Sequence, residues 1–196
     1  MHLAFDIFQG IGVAAAVGIR PFLPALVASA LAAGDVELSF KHTDFSFLQK
    51  PVFLLIMVLG VVALGLFERR FSGQNQEPRW LTYGLAAISL ALGALFFGAE
   101  LARRHDPVVI GIVAGVICAA IGVLATYPLL ARVRARLDRD AVTALPFITG
   151  AVAAIGAALS ILAPPMGVIL LLALLWLLVA GRGREQQKYA GLRILR

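Results

Sequence analysis

The chain has 196 residues, 61% of them hydrophobic and 14% charged, with a formal net charge of +6 at pH 7 and a mean hydropathy of +0.93. A soluble domain keeps roughly a quarter of its residues charged, so a water-exposed fold is excluded and the apolar surface is assigned to lipid. A single cysteine, Cys118 inside an apolar run, excludes a disulfide framework or a Cys-rich metal centre within the chain, and positive charge gathered between apolar runs argues for membrane anchoring and against nucleic acid.

A hydrocarbon core about 30 Å thick requires about 20 apolar residues per helix. Six stretches approach or exceed that length: residues 7–33, 51–67, 80–102, 107–131, 143–163 and 164–181. The expected fold class is all-α, a polytopic transmembrane helix bundle of six spans. It forms a single integral membrane domain over residues 1–196, with a basic cytoplasmic tail at 186–196. Residues 1–6 lack the basic start of a signal peptide, and the first run is too long for one. Outside the spans, 12 Lys and Arg fall in residues 68–79, 132–142 and 182–196, against Lys41, Lys50, Arg103 and Arg104 on the other side. The positive-inside rule then predicts a multi-pass protein of the inner (plasma) membrane with both termini cytoplasmic.

The connections differ in character. Residues 34–50 mix Phe40, Phe45, Phe47 and Leu48 with Asp35, Glu37, Lys41 and Asp44, which suits either an interfacial segment on the outer leaflet or an ordinary loop. Ala163-Pro164-Pro165-Met166-Gly167 leaves room only for a tight antiparallel turn between the last two spans.

A shift of about 104 positions aligns Ala14-Ala15-Ala16-Val17-Gly18 with Cys118-Ala119-Ala120-Ile121-Gly122, and Pro24-Ala25-Leu26 with Pro128-Leu129-Leu130; Pro51 and Pro146 then open the second and fifth spans. Read as a repeat, units 1–105 and 106–185 carry three spans each and enter the membrane from opposite sides, an inverted 3+3 arrangement. Small residues at four-residue spacing (Gly10, Ala14, Gly18; Gly111, Gly115; Gly150, Ala154, Ala158) are expected to be packing seams, through which a homo-oligomer would also form.

Chemical content concentrates in Gly18-Ile19-Arg20-Pro21-Phe22-Leu23-Pro24. In a single span over 7–33, Arg20 falls at the arithmetic middle, where a charge costs roughly 3 kcal/mol and needs a partner or a wet cavity. Pro21 and Pro24 have no amide hydrogen, so the carbonyls of Val17 and Arg20 lose their helical donors and a broken first helix is expected. The free amides of the next half-helix and the guanidinium would favour an anion. In the aligned copy, Thr126, Tyr127 and Pro128 match this break. The expected substrate site is therefore Gly18, Arg20, Pro21, Pro24, Thr126, Tyr127 and Pro128. The competing expectation is structural: Arg20 pairs with Glu68, Glu100 or Asp6 and pins the bundle. His2, His42 and His105 lie at or near segment ends, and no GxxxxGK[ST], HExxH, GxSxG or CxxC pattern is present, so neither a metal, a cofactor nor an enzyme activity is expected.

The run Gly18-Ile19-Arg20-Pro21-Phe22-Leu23-Pro24-Ala25-Leu26, followed by Gly34-Asp35-Val36-Glu37-Leu38, and the closing Lys188-Tyr189-Ala190-Gly191-Leu192-Arg193-Ile194-Leu195-Arg196 resemble the bacterial membrane family known as domain of unknown function 4126. That resemblance implies a multi-span fold and brings no activity with it. The expected function is movement of a small solute or ion. The alternative is a non-catalytic assembly or lipid-organising protein, and membrane lipids are the partners expected in either case.

Overall fold

The computed structural model describes residues 2–36, 40, 43–71, 79–103, 107–134, 136–137 and 139–192. They form seven α-helices, α1 His2–Ile19, α2 Phe22–Ala33, α3 Pro51–Phe71, α4 Arg79–Ala102, α5 Val108–Arg134, α6 Arg139–Leu162 and α7 Pro165–Leu192, with a short 3-10 helix at Ser46–Gln49. Four contain apolar windows long enough to cross a membrane: Pro51–Glu68, Trp80–Ala102, Val108–Arg134 and Ala144–Leu162. Ala4–Ile19, Phe22–Ala33 and Pro165–Gly181 are shorter apolar helices. The all-helical class and these apolar helices are compatible with a membrane-embedded protein.

The first apolar run is two helices, and this corrects the six-span reading. Gln9 donates to the Ile161 carbonyl at one end of α1, while Arg20 reaches Thr149 at the other, so α1 runs antiparallel to α6. Phe22 packs on Gly60 of α3, yet Phe40, only seven residues after Ala33, is buried beside Gln9, Gly10 and Glu100. Had α2 continued in the direction of α1, six intervening residues could not return over the more than 30 Å required, since an extended residue covers at most about 3.6 Å. The chain therefore turns back at Arg20-Pro21, and α1 and α2 form a splayed re-entrant hairpin with both open ends on the Asp6 side. Twelve residues of α2 rise about 18 Å, well short of a full crossing.

The directions of the other helices follow. Gly10 and Gly111 both lie against Phe97, Gly18 against Ala119, and Gly122 against Ala15 and Gly18, so α1 and α5 run the same way. An inverted relation would make them antiparallel, so the aligned stretches are not inverted copies. They are two parallel helices sharing one seam, and the shift of 104 that matches Gly18 to Gly122 also brings those two residues face to face. A Cβ on Gly122 would stand 2.9 Å from the Gly18 Cα, which is why small residues recur there. Gly10, Gly18, Gly111 and Gly115 are likewise used inside the chain. At the other end of the bundle, Arg132 donates to the Gly181 carbonyl of α7. α1 thus starts at the Asp6 end and α7 finishes at the Glu68 end.

Two connections explain themselves locally. The α6–α7 turn closes through Met166 N–H to Ala163 O at 2.9 Å and Gly167 N–H to Pro164 O at 3.0 Å, with Pro165 opening α7, as its sequence requires. The segment after α2 is neither a purely interfacial strip nor an ordinary loop: Phe40 and Leu48 are fully buried in the core with Ala25, Ala28 and Phe96, and Phe45 lies by Gly98, so it caps the Asp6 end. Glu37, Leu38, Lys41, His42, Arg104, His105, residues 72–78 and residues 193–196 lie outside the described residues.

α2 ends in a Schellman motif. Val36 N–H bonds Leu31 O at 3.0 Å and Asp35 N–H bonds Ala32 O at 3.3 Å, which puts Asp35 at the left-handed position with φ 53°, while Gly34 precedes it at φ −82°. Glycine stands one residue too early to relieve that backbone. Asp35→Gly is expected to stabilise the protein by about 0.5–1 kcal/mol, read as a raised Tm in detergent; a lowered Tm would show that the Asp35 side chain contributes more than its backbone costs.

Candidate functional site

The hairpin tip brings charge to a place the sequence could not locate. Measured along Ala4–Ile19, 16 residues rise about 24 Å, so Arg20 lies most of the way across the bundle and not at the middle of a span. Its Nη1 pairs with Glu68 Oε1, and its Nε donates to Thr149 Oγ1 at 3.2 Å. The hydroxyl of Thr149 in turn lies 2.9 Å from Leu145 O and 3.0 Å from Pro146 O. The Arg20 and Glu68 side chains keep only 11% and 12% of their exposure. Of the three carboxylates considered for Arg20, Glu68 is the partner.

Asp6 and Glu100 serve a second cluster at the opposite end. Arg103 Nη2 lies 2.9 Å from Asp6 Oδ1 and 3.0 Å from Glu100 Oε1. Gln9, one turn after Asp6, has its Nε2 on Ile161 O at 2.7 Å. One hairpin therefore carries a charged group at its entry and another at its tip.

The break forms because Gly18, Pro21 and Pro24 act together: two helical donors are lost within four residues. Arg20 N–H still reaches Ala16 O at 3.3 Å, and α2 begins at Phe22 with no side-chain cap. Pro128 acts alone and α5 continues through it to Arg134; Pro146 likewise lies inside α6 and does not open it. The second half of the expected site is accordingly not a broken helix. Thr126 is buried and donates to Gly122 O at 2.7 Å within its own helix. Tyr127 donates to Thr82 O of α4 at 3.2 Å. Gly18 packs on the Ala119 backbone, and Pro21 and Pro24 are buried at the tip. The structure groups Arg20 with Pro21, Glu68 and Thr149 and gives Thr126, Tyr127 and Pro128 separate tasks.

Thr149, Gln9 and the Arg103 cluster were not among the expected site residues. Gln9 and the Arg103 cluster left a signal, a glutamine within an apolar run and polar side chains at three-residue spacing in Asp6/Gln9 and Glu100/Arg103, and Thr149 left none.

The Arg20–Glu68 pair also fastens α3, whose apolar window is only 6% buried and which otherwise touches α2 through Phe22 and Gly60 and α4 through the edge-on ring pairs Phe53–Phe96 and Phe67–Trp80. Removing one member of a buried pair leaves the other charge stranded, at a cost of about 3–5 kcal/mol, whereas replacing both by apolar side chains is close to neutral. Glu68→Met and Arg20→Met should each lower the Tm in detergent strongly, and the double variant should recover most of the loss. Additive losses in the double variant would rule the pair out as the fastening.

No family model, curated protein or solved structure matches the chain, so its functional reading rests on the geometry of the two charged clusters.

Proposed function

We propose that the chain is an integral membrane protein of the cell inner membrane that moves a small anionic solute or ion, with Arg20 at the tip of the re-entrant hairpin as its binding point. The observation that carries this is a largely buried guanidinium on irregular backbone most of the way across the bundle, held by a carboxylate at the end of a helix whose apolar window is only 6% buried. Irregular backbone at such depth is tolerated where protein or a cavity surrounds it. Glu68 occupies the place a substrate anion would take, so an incoming anion competes with Glu68 for the guanidinium, and its displacement frees α3. The basic ends of α3 and α5, with Arg70, Arg132 and Arg134, stand on the same side as Glu68 and attract anions towards it. By the positive-inside rule this side is cytoplasmic, which places the start of α1 outside and the end of α7 inside.

A second reading has its own observation: both Nε and Nη1 of Arg20 are already engaged. On that reading the tip is a pin, and the chain is a non-catalytic assembly or lipid-organising protein whose partners are membrane lipids or further copies of itself.

Flux measurements on the full chain in sealed vesicles separate the two, using chloride, nitrate, phosphate and acetate as probes. Transport predicts flux of at least one probe, a loss of tenfold or more in Arg20→Gln that elutes as a folded species, and increased flux or tighter probe binding in Glu68→Gln. Undiminished flux in folded Arg20→Gln overturns the assignment of the site. Absence of flux for all four probes, with stability falling in both variants, favours the pin.

A further inference from the structure

At the Asp6 end a cavity of about 10 Å³ is lined by Gln9, Gly10, Val13, Phe40, Phe96 and Glu100. Its two polar walls are deeply buried, Gln9 at 5% and Glu100 at 2% of full exposure. The Gln9 amide has one orientation, because the Ile161 carbonyl 2.7 Å away can only accept and must face Nε2. Its Oε1 is then an acceptor, and it has no hydrogen-bond partner among the described residues. The cavity thus sets an amide oxygen and a carboxylate, two acceptors, around a volume that suits one water molecule. Leaving a buried acceptor unmatched costs about 1–3 kcal/mol, so a donor between them is favoured.

We infer that this cavity is a proton site: one water donates to Gln9 Oε1 and to Glu100, and Glu100 takes up and releases a proton through it. In the loading step an O–H bond forms at the Glu100 carboxyl and one breaks in a hydronium ion arriving at the cavity, leaving the water in place. A metal cation fits poorly, because such ions take six or more oxygen ligands, while Gly10, Val13, Phe40 and Phe96 offer no side-chain oxygen. The charged groups facing Glu100 among the described residues are Asp6 from α1 and Arg103 from its own helix; residues 34–50 contribute Phe40, and the adjoining ends of α5, α6 and α7 contribute none. Asp6 competes for Arg103, so protonating Glu100 leaves the Asp6–Arg103 pair intact.

The site is read directly, with no solute moving, so its test is independent of the transport proposal. Infrared difference spectra of the full chain in phosphatidylcholine–phosphatidylglycerol vesicles, between acidic and alkaline buffer, should contain a protonated-carboxyl band that shifts in D2O. That band should vanish in Glu100→Gln, change position in Gln9→Met and persist in Glu68→Gln. Its survival in Glu100→Gln, or an unmoved band in Gln9→Met, overturns the proposal. If Glu100→Gln does not fold, Gln9→Met decides alone, because it leaves every carboxyl in place. Replacing sodium by choline should leave the spectrum unchanged; a sodium-dependent band would assign the cavity to a metal cation and overturn the proton reading.

Discussion

A guanidinium out of bulk water must be neutralised, and at this hairpin tip the backbone does not do it. α1 ends at Ile19 and presents its carbonyl end to Arg20, while α2 begins at Phe22 and presents its amide end. The two partial charges, each about half an electronic charge and of opposite sign, meet within a few residues and largely cancel. Between them they leave a net positive charge on Arg20 that only a side chain can meet. Glu68 meets it, and the position of α3 follows from that requirement.

The rest of the bundle is arranged so that such a hairpin can be enclosed. α1 is covered by α4, α5, α6 and α7, and α6 also packs against α2, so α1 is the interior helix despite being shorter than a full crossing. Enclosure on that many sides demands small residues. Ala14, Ala15 and Ala16 are fully buried, and Gly18 meets the α5 backbone directly. The gain is dispersion between closely approaching backbones, which is the attraction available between helices once lipid has removed the hydrophobic difference. α3 lacks such a seam over most of its length, and its exposed Val52, Leu55, Ile56, Leu59, Val62 and Leu66 are suited to acyl chains.

How far this was legible depends on the kind of signal. Helical class, the apolar runs, the proline turn at Ala163 to Gly167 and the break at Arg20-Pro21 are local matters of hydrogen bonds and length, and reading them needed no tertiary knowledge. The direction taken after the break is not local. Two prolines release backbone groups, but whether the chain goes on or returns depends on what α2 finds to pack against, here Gly60 of α3 and the alanine face shared with Phe96. One hint was present: the 27 residues over 7–33 would rise about 40 Å, more than a membrane core of about 30 Å needs, whereas α1 and α2 taken separately fit it as a hairpin. The inverted 3+3 relation is not confirmed: the aligned seams of α1 and α5 run parallel and face one another, and such close approach demands small residues on both helices.

The two charged clusters differ in a way that bears on function more than their distance apart. At the entry, Arg103 follows directly on the end of α4, where the helix dipole is negative, so it complements its own helix while pairing with both Asp6 and Glu100. That cluster is over-determined, and Phe40 and Leu48 cap the same end of the bundle. At the tip the dipoles cancel, Thr149 offers a neutral hydroxyl, and Glu68 sits on a helix whose apolar window is only 6% buried. A ligand can only redistribute states that differ modestly in free energy. Of the two ion pairs, the one at the tip holds the less buried helix, so motion in this protein is expected to begin with α3 and not with the capped end.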